Sequence, residues 1–139
     1  MKDENQQPFA GSELTTILVV SDMEKAKKFY IDGLGAELNR EYGGDSMVIK
    51  FLGNWLLLVT AGGPSEDKPE TYFEPPVSKN MVSHAFTIRV KDCNKTYEIL
   101  KDRGISFITP PKSRGAETRC FFQDPDGHLF EISEYKEAK

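Results

Sequence analysis

Glu131 stands four residues after the glycine of Asp124-Pro125-Asp126-Gly127, inside the strand-like run LFEISEY. A carboxylate set among apolar neighbours either pairs with a cation or serves as a general base. Glu117 and Arg119 lie two residues apart, and in a strand they share one face, which Phe121 continues. On a solvated face such an ion pair contributes little. Turned inward, the planar fork of Arg119 can grip a carboxylate or a phosphate. Trp55, Tyr42 and Phe51 offer rings to a flat ligand, although strand aromatics more often fill a core. The two histidines differ in setting. His84 opens an apolar run, while His128 follows the DPDG turn, where an exposed and idle ring is expected. Cys93 and Cys120 show no metal-ligand spacing and read as small buried hydrophobes. Lys112-Ser113-Arg114-Gly115 has the charge of a phosphate grip, but no helix follows to add its dipole, so a solvated turn is expected.

The elements that position these residues come in two matching sets. ILVVSDMEKAKKFYIDGLGAEL (17–38) and TIRVKDCNKTYEILKDRGISF (87–107) each run an apolar strand into an Asp cap, an amphipathic helix, a glycine and a new strand. Asp22 caps the first helix, whose buried stripe is Met23, Ala26, Tyr30 and Gly33 with Phe29 beside it. Asp92 caps the second, with Cys93, Tyr97 and Leu100 on its inner side. Strands are expected at 14–20, 36–41, 47–51 and 55–60, with turns at Gly43-Gly44 and Gly53-Asn54. The second set is expected at 84–90, 106–109, 117–123 and 129–135, with the last two joined by the DPDG hairpin. Two units of this size share one core because neither buries its apolar face alone. The first spans 13–60 and the second 83–135. The Gly-, Pro- and Glu-rich stretch 61–82 between them is a linker or a flap, with Tyr72 and Phe73 docking it. Residues 1–12 read as a loosely ordered leader and 136–139 as a tail.

The chain has 139 residues, enough for one domain with a real core. A net charge of −4 without any basic stripe argues against a nucleic-acid partner. No apolar run is long enough for a membrane helix, and the polar N-terminus lacks a secretory signal. Two unpatterned cysteines fit reduced thiols in a cytoplasm.

A doubled β-α-β-β-β unit carrying VVSDMEKAKKFYIDGLG and CFFQDPDGHLFEISE resembles the vicinal oxygen chelate superfamily, which includes glyoxalase I, bleomycin- and fosfomycin-resistance proteins and extradiol dioxygenases. The resemblance covers residues 13–135. It implies an α+β fold of two tandem βαβββ modules, whose curved mixed sheets enclose a shared cleft with helices outside. It also implies a homodimer, since many relatives pair modules to complete their clefts.

Metal-using members of that superfamily place one ligand on the first and one on the last strand of each module. The resemblance puts those positions at Thr15, at Leu57 or Leu58, at Ala85 and at Glu131. Only the last is a good ligand for a divalent transition metal. His84 neighbours Ala85, but alternation turns it toward the helix face unless a bulge rotates it. No resident cofactor is therefore expected, and a divalent metal, if held, would rest on His84 and Glu131. Alternation from Glu131 places Leu129 and Ser133, then Ala85, Thr87 and Arg89, then Thr15, Ile17 and Val19, toward the cleft. The expected ligand-binding residues are Thr15, Trp55, Thr87, Arg89, Glu117, Arg119 and Phe121, with Glu131 as the catalytic candidate. The best-fitting function is metal-independent binding of a small molecule. Two enzymatic readings stay open. One is a glyoxalase-like lyase or isomerase whose metal is held partly by His84. The other is a metal-free enzyme with Glu131 as base and Arg119 stabilising a developing enolate.

Overall fold

In the computed structural model, which describes residues 7–136, both Asp caps work as the sequence requires. Asp22 is extended, and its carboxylate accepts from the backbone N–H groups of Glu24 and Lys25 at 3.0 and 3.2 Å, satisfying donors that the first turn leaves unpaired. Asp92 does the same for Lys95 N–H at 3.0 Å. Of the expected leader and tail, residues 1–6 and 137–139 lie outside the described range, and 7–12 are exposed.

The first module runs β1 (Thr15–Val20), α1 (Met23–Lys27), β2 (Glu37–Tyr42), β3 (Ser46–Phe51) and β4 (Asn54–Thr60). Its sheet has the order β1-β4-β3-β2, with β1 parallel to β4 and the other pairs antiparallel. The second runs β5 (Phe86–Arg89), α2 (Cys93–Asp102), β6 (Lys112–Arg114), β7 (Glu117–Gln123) and β8 (Leu129–Tyr135). Its order, β5-β8-β7-β6, repeats the first, again with the outer first strand parallel to the last. The expected α+β fold of two βαβββ modules is therefore what forms. Among the described residues, no helix is long and apolar enough to cross a membrane.

One core joins the modules. Leu18, Val20, Met47, Ile49, Leu56 and Leu58 fill the helix side of the first sheet, and Cys120, Phe122, Phe130 and Ile132 that of the second. After α1 the chain continues as a π-helical segment, Lys28–Gly33, closed by a hydrogen bond from Leu34 N–H to Phe29 C=O. This widened turn carries Phe29 and Tyr30 onto the second module. Phe29 lies 6.2 Å from Phe122 and from Phe130, centroid to centroid, and Tyr30 lies 6.0 Å from Phe130. The Tyr30 hydroxyl donates to buried Asp124 at 2.7 Å. Gly33 permits the approach, since a Cβ there would lie 2.9 Å from Ile105 Cδ1. The buried stripe Ala26, Tyr30 and Gly33 matches its expected spacing.

Three local expectations fail for identifiable reasons. Residues 106–109 pair with β7 only through a bridge from Phe107 to Phe122 and the Ile108 N–H donated to Phe121 C=O, and Pro110 and Pro111 have no N–H with which to extend that pairing. The edge strand resumes immediately after them. Lys112–Arg114 is thus β6, paired to β7, and not a solvated turn. The β3–β4 hairpin turns on Leu52-Gly53 rather than Gly53-Asn54. Both turn residues have positive φ, at 50° and 78°, and Asn54 opens β4 while its amide reaches back to Leu52 C=O.

Candidate functional site

Alternation places six of the eight expected site residues on one face of the second sheet. Glu131 of β8, Thr87 and Arg89 of β5, and Glu117, Arg119 and Phe121 of β7, joined by Ser133 of β8, point away from the side that Phe122, Phe130 and Ile132 bury. The ladder puts Thr87 beside Glu131, Arg89 and Arg119 on either side of Ser133, and Phe121 beside Glu131.

These groups form a continuous polar chain. Arg89 Nη1 donates to Ser133 Oγ at 2.7 Å, and Ser133 Oγ donates to Glu117 Oε2 at 2.6 Å. Arg119 Nη1 lies 3.6 Å from Glu117 Oε1 and 3.7 Å from Glu131 Oε2. The Thr87 hydroxyl completes the chain by donating to Glu131 Oε1 at 2.9 Å. Glu131 is thus a paired carboxylate, with one oxygen on a hydroxyl and the other beside a guanidinium. Both Arg119 separations exceed hydrogen-bond length, so attraction holds the guanidinium in place while its N–H donors remain available. Its side chain is 38% exposed, whereas that of Glu131 is only 9% exposed. The face thus presents a cation over two fixed acids.

Thr15 and Trp55 belong to the first sheet, where they are direct ladder partners across β1 and β4. Trp55 stacks under the Lys50 ammonium at 4.7 Å. It also shares a cavity of about 250 Å³ with Thr87, which bridges the two modules along β1 and β5. Tyr42 is exposed at the sheet edge, and Phe51 packs against the core.

Both histidines depart from expectation. His84 does not point at the helix face: it precedes β5 and is exposed, because β8 supplies ladder partners only from Phe130 onward. His128 is neither exposed nor idle. It is 7% exposed, and its Nε2 lies 2.8 Å from Val19 C=O of β1. The hairpin that carries it is stapled by Asp124, whose carboxylate accepts from Asp126 and His128 N–H groups at 2.9 and 2.8 Å. The sequence carries a signal for this, since an Asp that starts a tight turn tends to satisfy the N–H groups following it. Cys93 and Cys120 are free and buried as expected. Burial pushes both thiols up, Cys120 to about 12.

Residues 14–132 match the family model described as Glyoxalase/Bleomycin resistance protein/Dioxygenase superfamily. The chain belongs to that superfamily. The uncharacterised protein YurT of Bacillus subtilis is 30% identical over 129 residues, covering 86% of this chain and 95% of that one. A probable chloroplastic lactoylglutathione lyase of Arabidopsis thaliana is 30% identical over 130 residues, which is 87% of this chain. The match spans only 35% of that longer protein. A glyoxalase/bleomycin resistance protein/dioxygenase from Nocardioides has the same fold, with a TM-score of 0.75 at 23% identity, over 92% of this chain and 85% of that one.

Within this glyoxalase-type scaffold, the four positions implied for metal ligands carry Thr15, Leu57, Ala85 and Glu131. Register settles the fourth strand on Leu57, which pairs with Ile17, whereas Leu58 is buried in the core. Among the described residues, no group of three or more His, Cys, Asp or Glu side chains is placed to hold a metal ion. The single carboxylate is already engaged by Thr87 and Arg119. This donor set does not fit a divalent metal.

Proposed function

We propose that this superfamily member binds a small molecule on the polar face of its second module without a resident metal. The observation that carries the reading is the Arg119 guanidinium, held 3.6 and 3.7 Å from two carboxylates yet hydrogen-bonded to neither. Such a group accepts the acidic end of a ligand at little reorganisation cost, while Glu117 and Glu131 take a hydroxyl or ammonium on the same molecule. The fitting ligand therefore combines a carboxylate or phosphate with a hydrogen-bond donor. Trp55, lining the adjoining cavity with Thr87, supplies a flat apolar surface for the remainder.

A glyoxalase-like lyase or isomerase is the second reading, favoured by the similarity to the Arabidopsis protein, with a metal-free enzyme using Glu131 as base beside it. Binding is preferred because Glu131 Oε1 accepts from Thr87 and the guanidinium lies 3.7 Å from Oε2, an arrangement that fixes the carboxylate as a ligand contact. We extend the reading to a homodimer in which a second copy covers the open polar face.

Thermal-shift screening of hydroxy acids, amino acids and phosphonates tests the proposal, alongside elemental analysis after dialysis against Zn²⁺, Ni²⁺, Mn²⁺ and Fe²⁺. A stabilising ligand whose effect disappears in Arg119→Leu is expected, with no stoichiometric metal. Metal retained by the wild type and lost in Glu131→Gln would overturn the metal-free reading, and light scattering reports the dimer.

A further inference from the structure

A second cavity, of about 450 Å³, lies beyond the polar chain at the hairpin end of β8. Its floor is Ile17 and Val19 of β1 with Leu129 of β8, and the connection between the modules covers it with Phe73, Pro76, Val77, Met81 and Val82. That size falls within the roughly 300–1,000 Å³ typical of small-molecule sites. Its rim is open to water and mostly apolar, with Val77 95% exposed and Met81 81%, while Glu74, Ser83 and His84 add polar groups. Apolar side chains gathered around a concave opening are where an apolar ligand gains most by displacing water.

One polar atom in this wall lacks a partner. A carbonyl oxygen only accepts, so the 2.8 Å contact with Val19 C=O puts the proton of His128 on Nε2. In a ring with one proton, Nδ1 then carries the lone pair. Nδ1 is buried and, among the described residues, hydrogen-bonded to nothing. A buried acceptor left unpaired costs free energy that a donor from a ligand would recover. The His84 ring lies alongside, 6.1 Å from that of His128, and lines the same cavity.

We propose that this cavity is a separate binding site for a mostly apolar small molecule bearing one hydroxyl or N–H donor, which His128 Nδ1 receives. The site shares no residue with the polar chain around Arg119, and its floor continues the same sheet face past Glu131 to Leu129. The covering segment 76–84 has no regular secondary structure, so a shift of His84 and its neighbours can open Nδ1 to an entering ligand.

Titrating the full-length protein with 1-naphthol and with its methyl ether tests the proposal, because the two probes differ only in the donor. Binding is read by naphthol fluorescence and by the ring-nitrogen resonances of ¹⁵N-labelled histidine. Saturable naphthol binding that moves the His128 Nδ1 resonance is expected, with the ether at least about tenfold weaker, as loss of one buried hydrogen bond requires. Val77→Asp and Met81→Asp, at exposed positions that tolerate charge, should each abolish binding, while Arg119→Leu should leave it unchanged. Equal affinity for the two probes, an unmoved His128 resonance, or full binding by both rim variants would overturn the proposal. Loss of naphthol binding in Arg119→Leu would overturn the separateness of the site and leave the polar face as the only one.

Discussion

The Thr87 hydroxyl donates to Glu131 at 2.9 Å across the parallel pair β5–β8, and the two residues are direct ladder partners. Neighbouring strands hold such pairs in fixed register, so this contact sets which way the carboxylate faces without help from any loop. Its other oxygen is thereby turned toward Arg119. A single register thus orients the carboxylate and the guanidinium of the proposed site together.

Thr87→Val should remove that donor while keeping the side chain's shape, and should lower stability by about 1 kcal/mol, as loss of one partly exposed hydrogen bond does. In the Glu131→Gln background the same change should cost less, because an amide is a weaker acceptor than a carboxylate. Urea denaturation of the four proteins gives the coupling directly. Additive effects would show that the 2.9 Å contact contributes nothing in solution.

Alkaline stability should fall in two overlapping ranges. Burial raises the Tyr30 hydroxyl well above its ordinary value of 10.0, aided by the negative charge of Asp124, and raises the Cys120 thiol from 9.0 to about 12. Groups that ionise later in the folded chain than in the unfolded one contribute their full share below the unfolded value and lose it as pH rises. Stability should therefore hold to about pH 9, then decline through pH 12 as the unfolded chain sheds these protons first. Tyr30→Phe and Cys120→Ala should each flatten the decline in denaturant midpoints measured from pH 8 to 11. An unchanged slope in both would show that these groups ionise alike in the two states.

Leu52 occupies a turn position with φ of 50°, a conformation that its Cβ disfavours, and its side chain is exposed. Leu52→Asn should raise stability by about 0.5–1 kcal/mol, since asparagine adopts this conformation more readily and the leucine buries little there. A rise of the thermal midpoint is the readout. A fall would mean that the leucine packs against something in solution, such as a second copy.

Much of this protein is determined by short-range chemistry and was therefore legible in the chain. The Asp22 and Asp92 caps, the buried spacing of Ala26, Tyr30 and Gly33, and the DPDG hairpin each depend on residues within a turn of one another. Alternation carried the argument further, because a strand's period of two needs only one anchor. Fixing Glu131 on the cleft side placed Thr87 and Arg89 with it, whereas alternation put Glu117, Arg119 and Phe121 on one face of their strand without deciding which, and the β7–β8 register decided that. What escaped depends on partners distant in sequence. Residues before the proline pair made only an isolated bridge, and Lys112–Arg114 after it became a strand because β7 was there to receive it. His128 looked like an idle turn residue, yet the Val19 carbonyl that fixes its proton lies 109 positions away. Asp124 is buried because Tyr30, 94 positions earlier, reaches it from the other module. Local sequence decides which way a side chain points along its own element. Only the packing of one module against the other decides what it meets there, because that energy belongs to pairs of surfaces that neither segment encodes alone.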